Sequence, residues 1–181
     1  YWFHLKHRTH PGGVYFLLPK MADRLNLDTN GRAWLAYING HSQHPLTTWF
    51  IINRFPDPSN LDGLEDWWAE SHPRLGWDTD RRHHKQFFVP CSLQQGQAAS
   101  QWGTWETIAA GGWPSLWRAA TALNSFGRLS SWSYLEYLKI LGLPVAPDDL
   151  MLGDRSGSRS HRNGLCLVTG RDEFDWHQSN P

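Results

Sequence analysis

The segment GDRSGSRSHRNGLCLVTGRDEFD, residues 153–175, gathers arginine, histidine, asparagine and acidic side chains within a short stretch. Its residues Arg155, Arg159 and Arg162 are spaced i, i+4 and i+7, so they would share a face of a helix over 155–163. Guanidinium groups on one face repel one another unless anions lie between them. One interpretation is therefore a cradle for phosphate or pyrophosphate, to which Ser hydroxyls and backbone N–H groups add donors.

The same pattern also fits a solvated surface helix whose arginines are neutralised by nearby acids, and the spacing alone favours this alternative. The acids in question lie in the same segment: Asp154, Asp172, Glu173 and Asp175. Both interpretations assume that 155–163 is helical.

Two side chains of this segment could accept a proton. His161 directly precedes Arg162, whose charge should lower the pKa of the imidazole and favour the neutral form that a general base needs. Asp172 follows Arg171, an arrangement that is more often a salt bridge than a catalytic dyad. Both residues are kept as candidate bases.

Three polar residues lie at predicted helix ends elsewhere in the chain. Arg128, in SFGRLSSW, precedes a Ser-rich helix start, so we expect it at the entrance of that helix. Asn53 and Arg54, in FIINRFPDP, close an otherwise apolar helix. They are either a satisfied C-terminal cap or the wall of a pocket.

Metal and cofactor motifs are absent from the sequence. The chain has 10 histidines, but none has HExxH spacing or a carboxylate at a telling offset, so we expect no functional metal. No GxGxxG, P-loop or nucleophile motif is present, so we expect no cofactor.

Composition limits the class of protein. The 181 residues carry 17 basic and 17 acidic side chains, so no global positive field directs the chain to nucleic acid, and an anion site must be local. Cys91 and Cys166 give no disulfide framework, which favours a reducing cytosol. No apolar run is long enough for a transmembrane helix. The chain does not start with Met, so we expect that an upstream segment is missing.

Apolar residues recur every three or four positions, which predicts an all-α fold of about eight helices in a single domain over 1–181. The clearest helices are bounded by Pro, Ser, Asn or Gly signals. We predict helices over 31–41, 45–55, 59–72, 91–105, 113–127 and 130–142, a short one over 146–154, and one over 158–168. The stretch 72–90 is expected to be a loop.

Three segments are distinctive in combination: WFIINRFPDPSNL (49–61), SFGRLSSWSYLEYL (125–138) and PDDLMLGDRSGSRSHRNGLCLVTGRDEFD (147–175). In order and spacing they resemble the amino acid:DNA transferases of tailed phages, also called α-glutamyl/putrescinyl thymine pyrophosphorylases. The resemblance spans roughly residues 45–176, and the last segment is its most specific part.

The resemblance implies a helical fold related to helix-hairpin-helix DNA glycosylases, although the chain has no clear LPGVG hairpin signature. It implies that a separate kinase phosphorylates or pyrophosphorylates 5-hydroxymethyluracil in double-stranded DNA. The transferase then replaces that leaving group with the amine of an amino acid or polyamine, which gives a hypermodified thymine. It also implies action in the cytoplasm of an infected bacterial host, with no membrane partner, on a base flipped out of the duplex.

The resemblance suggests roles for the charged segment. Arg155, Arg159 and Arg162 would hold the leaving phosphates, because arginine stabilises such charge well. His161 or Asp172 would take the proton of the attacking amine.

The remaining candidates would bind substrate. Asn163 would contact the base or a phosphate, and Arg128 or Arg54 would hold the carboxylate of the amino acid, with Asn53 beside it. Two alternatives stay open. One is a glycosylase-like hydrolase in which Asp172 activates water, and the other is a non-catalytic DNA-binding module.

Overall fold

The computed structural model describes residues 14–75, 90–152 and 160–171 of the chain. These residues form nine α-helices, one short 3₁₀ helix and no strand, which confirms the predicted all-α class. None of these helices is long and apolar enough to cross a membrane. The helices are α1 (Val14–Arg24), α2 (Thr29–Ser42), α3 (Pro45–Arg54), α4 (Leu64–Ser71), α5 (Pro90–Ala99), α6 (Trp102–Ala110), α7 (Trp113–Thr121), α8 (Arg128–Ile140) and α9 (Ser160–Thr169), with the 3₁₀ helix His72–Arg74 after α4.

The core is organised around α2, which is buried from Ala33 to Ser42 without interruption. The helix begins after Asp28, whose side chain accepts a hydrogen bond of 2.7 Å from the N–H of Gly31. It ends at Gln43, which adopts a left-handed conformation with φ of 47°. Five other helices pack against α2, namely α1, α3, α5, α6 and α8. Helix α2 is therefore the central element of the described fold.

Two glycines allow close packing onto α2. A Cβ atom added to Gly40, within α2, would lie 2.9 Å from the ring carbon Cζ of Phe126, just before α8. A Cβ atom on Gly96 of α5 would lie 2.6 Å from Cε1 of Tyr37. The aromatic rings therefore occupy space that any larger residue at these two positions would need.

The tryptophans contribute mainly to packing in the described part of the chain. The ring of Trp132 lies edge to face with Trp113 and Trp117, at centroid distances of 5.2 Å and 5.9 Å, and this cluster joins α7 to α8. The indole N–H of Trp34 donates a hydrogen bond of 2.9 Å to the carbonyl of Phe55, which ties α2 to the end of α3.

Most predicted helices are present, but several boundaries differ. The helix predicted over 59–72 is shorter, Leu64–Ser71, and the one predicted over 113–127 ends at Thr121. The helix predicted over 91–105 is instead two helices, α5 and α6. The chain breaks between them because the carbonyl of Ala99 accepts the indole N–H of Trp105 and the amide of Trp102 donates to Asn30 Oδ1.

Two further predictions differ more strongly. Helix α1 has no counterpart among the predicted helices, and it contains Pro19, which ordinarily disfavours a helix interior. The short helix predicted over 146–154 is wrong for 146–152, which is irregular. There the side chain of Asp149 accepts a hydrogen bond of 2.7 Å from the amide of Met151, an interaction that competes with helical pairing. Most of the predicted 72–90 loop lies outside the described residues.

Candidate functional site

Arg128 is the first residue of α8 and is only 9% exposed. Its Nη1 donates a hydrogen bond of 2.5 Å to the carbonyl of Met151, and its Nη2 donates to the carbonyl of Leu150. The guanidinium carbon lies 5.1 Å from the ring centroid of Trp117, within cation–π range. The predicted position at a helix entrance is confirmed, and the charge is enclosed between an indole and the 150–151 backbone.

Arg162 lies in the first turn of α9 and is 6% exposed, which makes it one of the few buried charged residues of the described chain. A guanidinium taken out of water must face acceptor oxygens, because a buried and uncompensated charge is costly. The start of a helix carries a partial positive charge, so the same place also favours an anion. The chemistry of this turn therefore suits an oxyanion.

The same turn of α9 contains two other predicted site residues. His161 directly precedes Arg162 in the helix, and Asn163 follows it with an exposed side chain. The helix predicted over 158–168 is confirmed as Ser160–Thr169. His161, Arg162 and Asn163 are therefore consecutive residues of the first turns of α9.

Asn53 and Arg54 close α3, and both are exposed. The guanidinium carbon of Arg54 lies 5.3 Å from the ring centroid of Phe55, the C-cap residue. A cation in the last helical turn is favoured by the negative end of the helix dipole. Both residues belong to α3 and not to α9. They form an exposed helix end, at which Arg54 provides an accessible charge.

Three of the predicted site residues, Arg155, Arg159 and Asp172, lie outside the described residues. Their arrangement relative to Arg162 stays a prediction. No group of three His, Cys, Asp or Glu side chains forms a potential metal site within 14–75, 90–152 and 160–171.

Buried and half-buried polar side chains link α2, α3 and α8, and the sequence patterns do not identify them. The Thr48 hydroxyl donates a bond of 2.8 Å to Asn39 Oδ1 and lies 2.7 Å from the Ser42 hydroxyl. Gln43 Nε2 donates a bond of 3.1 Å to the Ser130 hydroxyl, close to Arg128 in α8. Small polar residues are common in apolar helices, so their presence alone is not informative. Asn39, Ser42 and Gln43 are spaced i, i+3 and i+4, and this spacing is the one sequence signal for a shared polar face.

A surface recess of about 440 Å³ lies between the start of α2 and the 56–59 loop. Its polar lining supports neighbouring backbone: Asp28 caps α2, and Asn30 accepts the amide of Trp102. Hydrogen bonds from the Ser59 side chain and backbone lower the pKa of Asp57. These polar atoms are used to stabilise helix ends and turns, so the polar lining of the recess has a structural role.

Known proteins are similar in sequence to this chain over most of its length. The serinyltransferase of Salmonella phage ViI is 29% identical over 164 residues, which cover 80% of this chain and 38% of that protein. The chain therefore matches well under half the length of this relative. No solved structure gives a significant match to the chain. Residues 15–179 match the family described as amino acid:DNA transferase, and the chain belongs to that family.

Proposed function

We propose that this chain carries a transferase activity that modifies a base in DNA. The substrates are double-stranded DNA with a phosphorylated or pyrophosphorylated 5-hydroxymethyluracil and the free amine of an amino acid or polyamine. The family assignment supports an amino acid as donor and DNA as acceptor. The name of the phage relative supports serine as the first amine to test.

The reaction is a substitution at the methylene carbon on C5 of the base. A C–N bond forms to the amine, and the C–O bond to the phosphate breaks. The electron pair of that bond leaves with phosphate or pyrophosphate, and the amine gives up a proton to a base on the protein. Stabilising the departing negative charge is the main electrostatic demand.

The buried guanidinium of Arg162 in the first turn of α9 is the observation that carries this proposal. It combines a desolvated cation with the positive end of a helix, and hydrogen bonds from arginine to phosphate oxygens are short and strong. In water such a pair is weak, but in a site of low polarity it is worth considerably more. Arg162 is therefore assigned to the leaving phosphate, together with Arg155 and Arg159.

The other assignments use neighbours of Arg162 and accessible polar groups. His161 is the first candidate base because it is adjacent to Arg162 in α9, and Asp172 is the second. Asn163 is exposed on the same turn and is assigned to the base or a phosphate oxygen. Arg54, accessible at the end of α3 with Asn53 beside it, is assigned to the carboxylate of the amino acid.

The reaction places this protein after a kinase. Hydroxide is a poor leaving group, so a separate enzyme must first phosphorylate the hydroxymethyl group in DNA. The proposed setting is the cytoplasm of an infected bacterial host, where phage DNA and free amino acids are both present.

Mass spectrometry of nucleosides tests this proposal. DNA containing 5-hydroxymethyluracil is first phosphorylated by a phage base kinase, and phosphorylation of the base is verified. The DNA is then incubated with the protein and with serine, other amino acids or a diamine. A nucleoside heavier by the amine adduct supports the transferase. Release of free base supports a glycosylase-like hydrolase, and unchanged nucleosides together with strongly salt-dependent binding support a DNA-binding module.

A further inference from the structure

Leu46 and Phe50 are large apolar side chains on the solvent side of α3, and they are 61% and 53% exposed. Their spacing, i and i+4, puts them on the same face of the helix. Trp49 borders them on α3 and is half-buried, so part of its indole is accessible as well. These three residues form the outer face of α3. A single exposed apolar side chain is ordinary, but three on one face of a short helix are typical of a surface that binds a partner.

Basic side chains border the outer face of α3. The guanidinium carbon of Arg24, in α1, lies 5.9 Å from the ring centroid of Trp49, within cation–π range. Arg24 is exposed, and the exposed Lys20 lies one turn earlier on the same stripe of α1. Helix α3 contains no acid, and the one acid of α1, Asp23, pairs with Arg32 of α2 at 2.8 Å. The positive charge at this edge is therefore not neutralised by an acid of either helix.

An apolar and aromatic face with a cationic edge matches the chemistry of DNA at an unstacked base. Bases present flat apolar faces once they leave the stack, and aromatic side chains stack on them whatever the sequence. The phosphates that flank such a base carry the negative charge that Lys20 and Arg24 complement. An arginine stacked on an indole still has N–H donors at the edge of its plane for a phosphate. A protein partner would have to supply an acid for each of these cations, so the charges favour DNA.

We propose that the outer face of α3, with Lys20 and Arg24 of α1, is a DNA-contact surface that binds the strand beside an unstacked base. Leu46 and Phe50 contact the base faces that unstacking exposes, as apolar side chains inserted between base steps do. Lys20 and Arg24 contact the flanking phosphates. This inference rests on the proposed function, in which a base of duplex DNA leaves the stack. Arg54, one turn after Phe50 on α3, keeps its assignment to the carboxylate of the amino acid.

Fluorescence anisotropy of labelled duplexes tests the apolar part of the surface and needs no activity. One duplex is fully paired, and the other contains a single mismatched pair, whose bases leave the stack at a lower cost. The wild type should bind the mismatched duplex more tightly. Phe50→Ala should weaken binding of that duplex about tenfold and change binding of the paired duplex by less than about twofold. Leu129→Ala, at an exposed leucine of α8, is the matched control and should bind like the wild type. Equal affinity of Phe50→Ala and the wild type for the mismatched duplex overturns the proposal, as does a wild type without preference for it.

The dependence of binding on salt tests the cationic edge. Lys20→Ala and Arg24→Ala should each weaken binding of both duplexes at low salt. Each should also reduce the slope of log affinity against log salt concentration by about 1, because one phosphate contact is lost. Arg118→Ala, at an exposed arginine of α7, removes the same charge from another helix and should keep the wild-type slope. A slope that falls equally in Arg118→Ala and Arg24→Ala would reflect net charge alone and overturn the proposal.

These binding tests separate failure of this inference from failure of the proposed function. If the wild type transfers no amine but the variants change DNA binding as expected, the proposed function fails and the surface stands. If the wild type transfers an amine and the variants bind DNA as it does, the surface is overturned and the function stands. If thermal unfolding shows that Phe50→Ala does not fold, Leu46→Ala is read by the same criteria.

Discussion

Tyr37 and Tyr134 pack edge to face, with ring centroids 6.3 Å apart and ring planes at 86°, where α2 meets α8. Both rings are buried, but their hydroxyl groups differ. The hydroxyl of Tyr37 donates a hydrogen bond of 2.7 Å to the carbonyl of Ser92. The hydroxyl of Tyr134 is buried and has no hydrogen-bond partner in the described part of the chain.

This difference predicts opposite responses to the same substitution. Tyr37→Phe should lower the free energy of unfolding by about 1–2 kcal/mol, because it leaves a buried carbonyl without its donor. Tyr134→Phe should leave it unchanged or raise it by up to about 1 kcal/mol, because a desolvated hydroxyl is removed. Urea unfolding of the two variants at neutral pH measures both. An equal loss in the two variants would contradict this description of the interface.

Alkaline pH provides a second prediction from the same residue. Burial raises the pKa of Tyr134 well above its usual value near 10.0, with a smaller contribution from Tyr37. Below pH 10 both the folded and the unfolded chain keep the phenolic proton, so this group adds no pH dependence. Above pH 10 the unfolded chain binds fewer protons, and the free energy of unfolding should fall as pH rises. Tyr134→Phe should fall less steeply than the wild type in denaturant titrations above pH 10, and parallel curves would argue against a buried phenol.

Gly96 tests the close approach of α5 to α2. Gly96→Ala should destabilise the protein by about 1–3 kcal/mol, because the new methyl group would meet the rings of Tyr37 and Trp34. Gly103→Ala is the matched control, since a Cβ there meets nothing within 4 Å, and alanine is the better helix former. Thermal unfolding compares the two variants. A melting temperature of Gly96→Ala at or above that of Gly103→Ala would show that α5 does not pack in this way.

Arg162 tests the proposed phosphate contact. Arg162→Ala should lower the rate of amine transfer by about 10²–10³-fold, the usual effect of removing one preorganised group that stabilises developing charge. Arg162→Lys should fall between that variant and the wild type, because the charge is kept and the bidentate geometry is lost. Arg118→Ala should keep wild-type turnover. Thermal unfolding of all three shows whether any loss reflects folding, and turnover within about twofold of wild type in a folded Arg162→Ala would remove Arg162 from the site.

Local signals in the sequence predict much of the helical framework. The apolar spacing of 31–41 and 130–142 indicates α2 and α8 correctly, and Gly142, the last residue of the helix predicted over 130–142, has a φ of 116° just beyond α8. These signals act within a few residues, so they can be recognised without knowing the fold. The break between α5 and α6 cannot, because it depends partly on Asn30, which is 72 positions from its partner Trp102.

In the candidate site, too, the sequence predicts the local helix but not the tertiary contacts. The helix predicted over 158–168 is present as α9. The burial of Arg162 and the contacts of Arg128 with Leu150 and Met151 depend on tertiary packing, which no local pattern encodes. The contacts of Arg128 with Leu150 and Met151 are consistent with the irregular backbone found at 146–152, where the helix predicted over 146–154 does not form. The positions of Arg155, Arg159 and Asp172 stay predictions.

A double-label experiment distinguishes amine transfer from hydrolysis of the phosphorylated base. DNA is prepared with ¹⁸O in the oxygen that joins the C5 methylene to the phosphate, and the protein is supplied with ¹⁵N-serine. Amine transfer should give a nucleoside that carries one ¹⁵N and no ¹⁸O, with all of the ¹⁸O in the released phosphate or pyrophosphate. A product that keeps ¹⁸O on the base and gains no ¹⁵N would show hydrolysis at phosphorus, and would contradict amine transfer by this chain.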